Sequence, residues 1–306
     1  MTFVAGHAPD ERGSAALHLA ATLAGSSGDD LVVCAVVPRP WFPSMAKVDA
    51  EYQAYLDAQA DAALDQARRA LQGGVAVTFV RHAARSAPTG LLEIAEEHDA
   101  GLIVVGSSSA GVFGHVVLGS VTDRLLHSSP VPVALAPRGF RAKSEARVRR
   151  VTAAYGGGEA ADALAVAAAP VAARVGASLR LATFAVWSRP SYVMRLGTES
   201  EDAVLGDWLA DMRAAAGQAL DLVKDLPDVP RDLESVVGIG GSWPEALEDV
   251  DWEEGDILVV GSSSVGPVAR VFLGTRASKI VRHSPVPVVV VPRPAPAGHP
   301  DRSGQD

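Results

Sequence analysis

Short runs of apolar, largely β-branched residues alternate along the chain with longer segments whose apolar positions recur every three or four residues. The short runs fit strands buried on both faces, and the longer period fits helices with one apolar stripe. In the first half the runs are FVAG at 3–6, LVVCAVV at 31–37, VAVTFV at 75–80, LIVVG at 102–106 and VPVALA at 131–136. Helical patterns lie between them, over 14–24, 47–72, 88–98 and 119–127. The long 47–72 segment puts Tyr52, Tyr55, Leu56, Ala63 and Ala70 on one stripe, which predicts its core face. In the second half, 201–226 carries Val204, Leu205, Trp208, Leu209, Met212, Leu220 and Val223 in the same way. Strand–helix alternation predicts right-handed crossovers and open, doubly wound parallel α/β sheets, two of them with five strands each.

The halves are copies of one another. GSSSAGVFGHVVLGSVTDRLLHSSPVPVALAP at 106–137 aligns without a gap on GSSSVGPVARVFLGTRASKIVRHSPVPVVVVP at 261–292, with 14 identities in 32 positions. Chance gives roughly two or three, so the chain is a tandem duplication. AVVPRPW at 35–41 mirrors AVWSRPS at 185–191. The reading divides the chain into a domain at 1–140, a linker at 141–147 within the basic stretch RGFRAKSEARVRR, a second domain at 148–293 and a Pro/Gly-rich polar tail at 294–306.

Composition narrows the function. Of 306 residues, 48% are apolar and 21% charged, which excludes a disordered chain. A net charge of −9 argues against coating nucleic acid. Cys34 is the sole cysteine, so neither an intrachain disulfide nor a cysteine zinc site is available. It sits in the run LVVCAVV, as a buried small hydrophobe would. The start MTFVAGHAPD lacks a basic, then apolar leader, and no apolar run is long enough to span a bilayer. A cytoplasmic protein without membrane or metal partners is expected.

Chemistry concentrates after the fourth strand of each half, where a glycine opens a small-residue loop. Ligands of open α/β sheets bind beyond the carboxyl ends of the strands, at the switch point. A Gly/Ser loop there offers backbone N–H groups, and the following helix start adds the positive end of its dipole, which suits a phosphate. GxxxxGK[ST] and GxGxxG are absent, and GxSxG fails at Ala110 and Val265. The spacing present is Gly106-x2-Ser109-x9-Gly119-Ser120, repeated as Gly261-x2-Ser264-x9-Gly274-Thr275. With the Pro-Val-Pro final strands, it resembles the universal stress protein family, whose nucleotide-binding members carry G-x2-G-x9-G-[S/T] here.

The resemblance covers nearly the whole chain. It implies a strand order of 3-2-1-4-5 in each half, with ATP or another adenine nucleotide lying across strands one and four. It implies that the fifth strands pair, here making an internal pseudo-dimer, with a further homodimer left open. It implies a non-catalytic stress-response or regulatory role. Carried over residue by residue, the candidate nucleotide contacts in the first half are His7, Val37, Gly106, Ser107, Ser108, Ser109, Gly119 and Ser120. In the second they are Gly156, Trp187, Gly261, Ser262, Ser263, Ser264, Gly274 and Thr275. Two departures stand out. The family's strand-one Asp is replaced by His7 in one half and Gly156 in the other, and the middle glycine of the motif is serine in both. Arg124, Arg276 and Lys279 follow on the fourth helices, and His115 lies in the loop. Retained glycines favour nucleotide binding; the missing carboxylates favour a ligand-free module that acts through protein contacts.

Overall fold

The computed structural model describes residues 1–39, 46–71, 75–108, 113–187, 198–262 and 273–292. The expected tail at 294–306 lies outside them, as do Ser109, Ser263 and Ser264. The first half runs β1 (Thr2–Gly6), α1 (Glu11–Ser27), β2 (Asp30–Pro38), α2 (Ala46–Ala70), β3 (Val77–Ala84), α3 (Ala87–Glu97), β4 (Ala100–Gly106), α4 (Ser120–Ser128) and β5 (Val133–Ala136). The second runs β6 (Arg150–Ala154), α5 (Glu159–Arg174), β7 (Ser178–Val186), α6 (Thr198–Lys224), β8 (Leu233–Gly240), α7 (Trp243–Glu248), β9 (Asp256–Gly261), α8 (Thr275–His283) and β10 (Val288–Val291). Local chemistry sets the ends. Asp10 caps α1 by accepting from the Gly13 N–H, and Gly28, at φ 71°, closes it in the left-handed region.

Each half has the order 3-2-1-4-5, with every pairing inside it parallel. The two expected sheets are, however, one. β5 and β10 pair antiparallel, Val289 opposite Ala134, and close a single ten-stranded sheet. Pairing satisfies two edges that would otherwise recruit other strands. One face of the sheet carries a core cluster continuous across this seam, from Val4 and Leu135 to Val288 and Leu258. The other face carries two clusters, one per half.

Two predicted core stripes need correction. Tyr52 and Tyr55 are 61% and 58% exposed, and Ala70 is exposed too. α2 instead buries Ala60, Ala63, Leu64 and Ala67. That face is rotated by roughly 70° from the one the tyrosines suggested. In α6, Val204 is exposed while Leu209, Leu220 and Val223 are buried. The third strand also runs later than VAVTFV, to Ala84.

Candidate functional site

The loop after β4 begins as an extension of the sheet. The Ser107 N–H donates to Ala136 O at 2.9 Å, and the Ser108 N–H to Val117 O at 2.9 Å. The Ser107 hydroxyl, buried, accepts from the Val117 N–H and donates to Val117 O. The second half repeats the start: the Ser262 N–H donates to Val291 O at 3.0 Å. These three amides therefore serve the fold, contrary to the expectation that the loop holds its N–H groups open.

The donors suited to an anion lie at the helix starts. Gly119 is the N-cap of α4 and Gly274 the N-cap of α8, and as glycines neither has a side chain to cap its helix. The first N–H groups of a helix have no intrahelical acceptor, so an anion can take that place. Ser120 and Thr275, both exposed, occupy the first helical positions. The structure brings Gly119 against Ser108: a Cβ on the glycine would lie 3.2 Å from the serine Cβ. Strand end and helix start thus face one another across the loop.

The two motif glycines at the strand ends differ. A Cβ on Gly106 would meet the carbonyl oxygen of Arg12 in the first turn of α1. A Cβ on Gly261 would meet only Leu164, at 3.6 Å, an ordinary contact. Close packing requires the first glycine; among the described residues nothing crowds the second.

At the strand-one ends the register corrects the sequence reading. Pairing equates Gly6 with Ala154 and Cys34 with Ala182. His7 therefore corresponds to Tyr155, and Ala8 to Gly156, one residue out of step with the expected match. The backbone confirms it: the His7 N–H donates to Cys34 O, and the Tyr155 N–H to Ala182 O. Both side chains are buried and both reach the second helix of their half. His7 Nε2 lies 3.1 Å from Ala63 O in α2, and the Tyr155 hydroxyl donates to Ala215 O in α6 at 3.1 Å. The same phenol proton is shared with Asp162 Oδ1, the nearer acceptor at 2.8 Å. Burial pulls the His7 imidazole below its ordinary value and, with the Asp162 bond, pushes the Tyr155 phenol up to about 12. Tyr155 is a residue the sequence reading passed over; aligning the N-caps Asp10 and Gly158 would have exposed it.

Among the described residues, Gly156, Gly157 and Gly158 would each admit a Cβ without contact, although φ of 80° and 83° reserves the last two for glycine. Val37 is core, 2% exposed, so its side chain is withdrawn from the cleft. Trp187 corresponds in register to Arg39 rather than Val37, and packs on Trp208 with ring centroids 6.1 Å apart. Arg124 and Arg276 are exposed, and Lys279 lies over the Trp243 ring at 5.8 Å. Among the described residues no group of three or more His, Cys, Asp or Glu is arranged to hold a metal. No helix among them is long and apolar enough to cross a membrane.

The model of the universal stress protein family matches residues 2–137 and again 147–292. A universal stress protein of Mycobacterium tuberculosis (strain ATCC 25618 / H37Rv) is 39% identical over 296 residues, covering 95% of this chain and 100% of that protein. One from Mycobacterium bovis matches with the same figures. Among solved structures, a universal stress protein from Archaeoglobus fulgidus superposes with a TM-score of 0.59 at 19% identity, over 96% of this chain and 98% of that one. A functionally unknown protein from Pseudomonas aeruginosa gives 0.54 at 15% identity, over 95% and 92%. These last two speak to the fold alone.

Proposed function

The chain belongs to the universal stress protein family, and on that premise we propose that it is a non-catalytic, cytoplasmic stress-response protein that binds an adenine nucleotide weakly. The observation that carries this reading is the pair of helix starts at Gly119 and Gly274. Both stand at the carboxyl end of the sheet's fourth strands, and both are glycines with no side chain to cap the helix. The first N–H groups and dipole of each helix suit a phosphate, and the hydroxyls of Ser120 and Thr275 add a donor each.

Weakness follows from two features. The amides of Ser107 and Ser262 are already spent on β5 and β10, and that of Ser108 on Val117 of its own loop. Strand one ends in His7 or Tyr155, without the family's carboxylate; a lost charge-assisted hydrogen bond costs about 1.5–3 kcal/mol, or one to two decades of affinity. The second half is the better binder on this account. Among the described residues nothing crowds its Gly156–Gly158 turn or its Gly261, whereas Gly106 is pressed on Arg12. In this proposal the units 1–140 and 148–293, joined by 141–147, act as an internal pseudo-dimer.

The test is nucleotide release followed by titration. Protein purified without added ligand is denatured, and the supernatant is resolved by ion exchange with detection near 260 nm. ATP is then titrated into the nucleotide-free protein. Saturable binding below about 1 mM supports the reading. Its absence overturns it in favour of a ligand-free interaction module, which the tethering of His7 and Tyr155 to the second helices would then explain.

A further inference from the structure

We propose a second binding site, for a small apolar monocarboxylate, in the cavity beneath the strap that joins the two halves. The strap leaves β5, passes α1 and enters β6. It is pinned along its length: His18 Nδ1 lies 3.0 Å from Ala142 O, the Val148 N–H donates to Ser26 Oγ at 2.8 Å, and the Arg149 N–H donates to Gly255 O at 2.9 Å. Held this way it borders a cavity of about 490 Å³, within the usual size range of small-ligand pockets.

The lining has two characters. Leu19 of α1, Phe140 of the strap, Ile257 of β9 and Val286 before β10 supply apolar surface. Arg141, Lys143, Arg147 and Arg149 supply cations. Among the described residues none of the four has a carboxylate within 4.0 Å. Arg147 gives its Nη1 to Ser144 O and Ala146 O, and Arg141 to Phe140 O, which neutralises neither. In a chain of net charge −9 such a convergence is unexpected on composition alone.

Glu145, Glu253, Glu254 and Asp256 also line the cavity. Asp256 is already paired with Arg150 and Arg180, which lie outside the lining. Four cations against the other three carboxylates leave one positive charge over an apolar floor. That balance selects a ligand with one negative charge on an apolar body. A polyphosphate would face three carboxylates for the same cations. An Arg or Lys head group hydrogen-bonds a carboxylate with charge assistance, and burial of the ligand's hydrocarbon adds the rest. The cavity shares no residue with the loops after β4 and β9, so this site does not depend on nucleotide binding.

The experiment is calorimetric titration of the full-length protein with octanoate, and with octanamide as the neutral isostere. The site predicts saturable one-to-one binding of octanoate, at least about tenfold tighter than octanamide. The double variant Lys143→Glu/Arg149→Glu should lose at least that factor with an unchanged melting curve. Should it melt early, Lys143→Gln/Arg149→Gln takes its place, with a smaller loss expected. Excess ATP should leave octanoate binding unchanged. No saturable heat, equal affinity for the amide, indifference to the variants, or displacement by ATP each overturn the proposal.

Discussion

Gly106 and Arg12 meet backbone to backbone: a Cβ on the glycine would stand 2.2 Å from the Arg12 carbonyl oxygen. The first glycine of the loop motif is thus required by the packing of α1 on the end of β4. Gly261, at the same place in the motif, has its nearest foreign atom among the described residues at 3.6 Å. Gly106→Ala should cost about 1–3 kcal/mol, as overpacking does, and Gly261→Ala less than about 0.5 kcal/mol. Thermal denaturation of the two variants reads the difference. Equal shifts would contradict the assignment of Gly106 to packing.

Acid should destabilise the protein through three histidines, His7 buried and His18 and His283 half-buried. Burial holds His7, His18 and His283 below their ordinary value of 6.5, with Arg141 adding to the effect at His18 and His115 and Arg282 at His283. Once the chain unfolds these groups bind protons more readily, so their stabilising contribution is whole above pH 6.5 and fades as the pH falls below it. Melting temperature should drop between about pH 7.5 and 5.5, and less in His7→Phe than in wild type. A flat profile over that interval would remove this account of His7.

The second half carries a buried ionic brace that the first half lacks. Arg180 is 3% exposed in β7; its Nη2 lies 3.3 Å from Asp256 Oδ2, and its Nη1 donates to Asp251 O at 2.7 Å. Arg150 donates to both oxygens of the same carboxylate. Asp256→Asn leaves the two guanidinium groups with only the half-exposed Glu234 carboxylate, 3.4 Å from Arg150 and 3.9 Å from Arg180, and should cost about 3 kcal/mol. Arg180→Met leaves the Arg150–Asp256 pair intact and should cost less. Denaturant midpoints decide: an Asp256→Asn loss no larger than that of Arg180→Met would show the brace to be dispensable.

The architecture was open to reading in the sequence because buried parallel strands announce themselves. LVVCAVV and LIVVG have no polar alternation, and the gapless repeat from Gly106 to Pro137 ties each element to its copy. Packing distances were not. Nothing in the order of residues says that Arg12 lies against Gly106, or that Arg180, inside SLRLATFAV, points into a buried carboxylate. On α2 the tyrosines outweighed the alanines in the pattern, yet the small residues form the buried face. The strand-one end shows the limit most clearly. The family's Asp position falls on His7 and Gly156 by sequence, whereas the pairing of Gly6 with Cys34 and of Ala154 with Ala182 makes Tyr155 the counterpart of His7.

The central claim, that the open helix starts hold a phosphate, is tested most directly by closing them. Gly119 and Gly274 have extended backbones, with φ of −93° and −60° and ψ of 175° and 164°. An Asp fits that conformation, caps the helix itself and repels a phosphate. Isothermal titration of ATP into wild type and into Gly119→Asp/Gly274→Asp, with melting curves recorded for both, is the measurement. The account predicts saturable binding by wild type, a loss of at least about tenfold in the variant, and melting no lower than wild type. Equal ATP affinity in a folded variant, or no saturable binding by wild type, would contradict it.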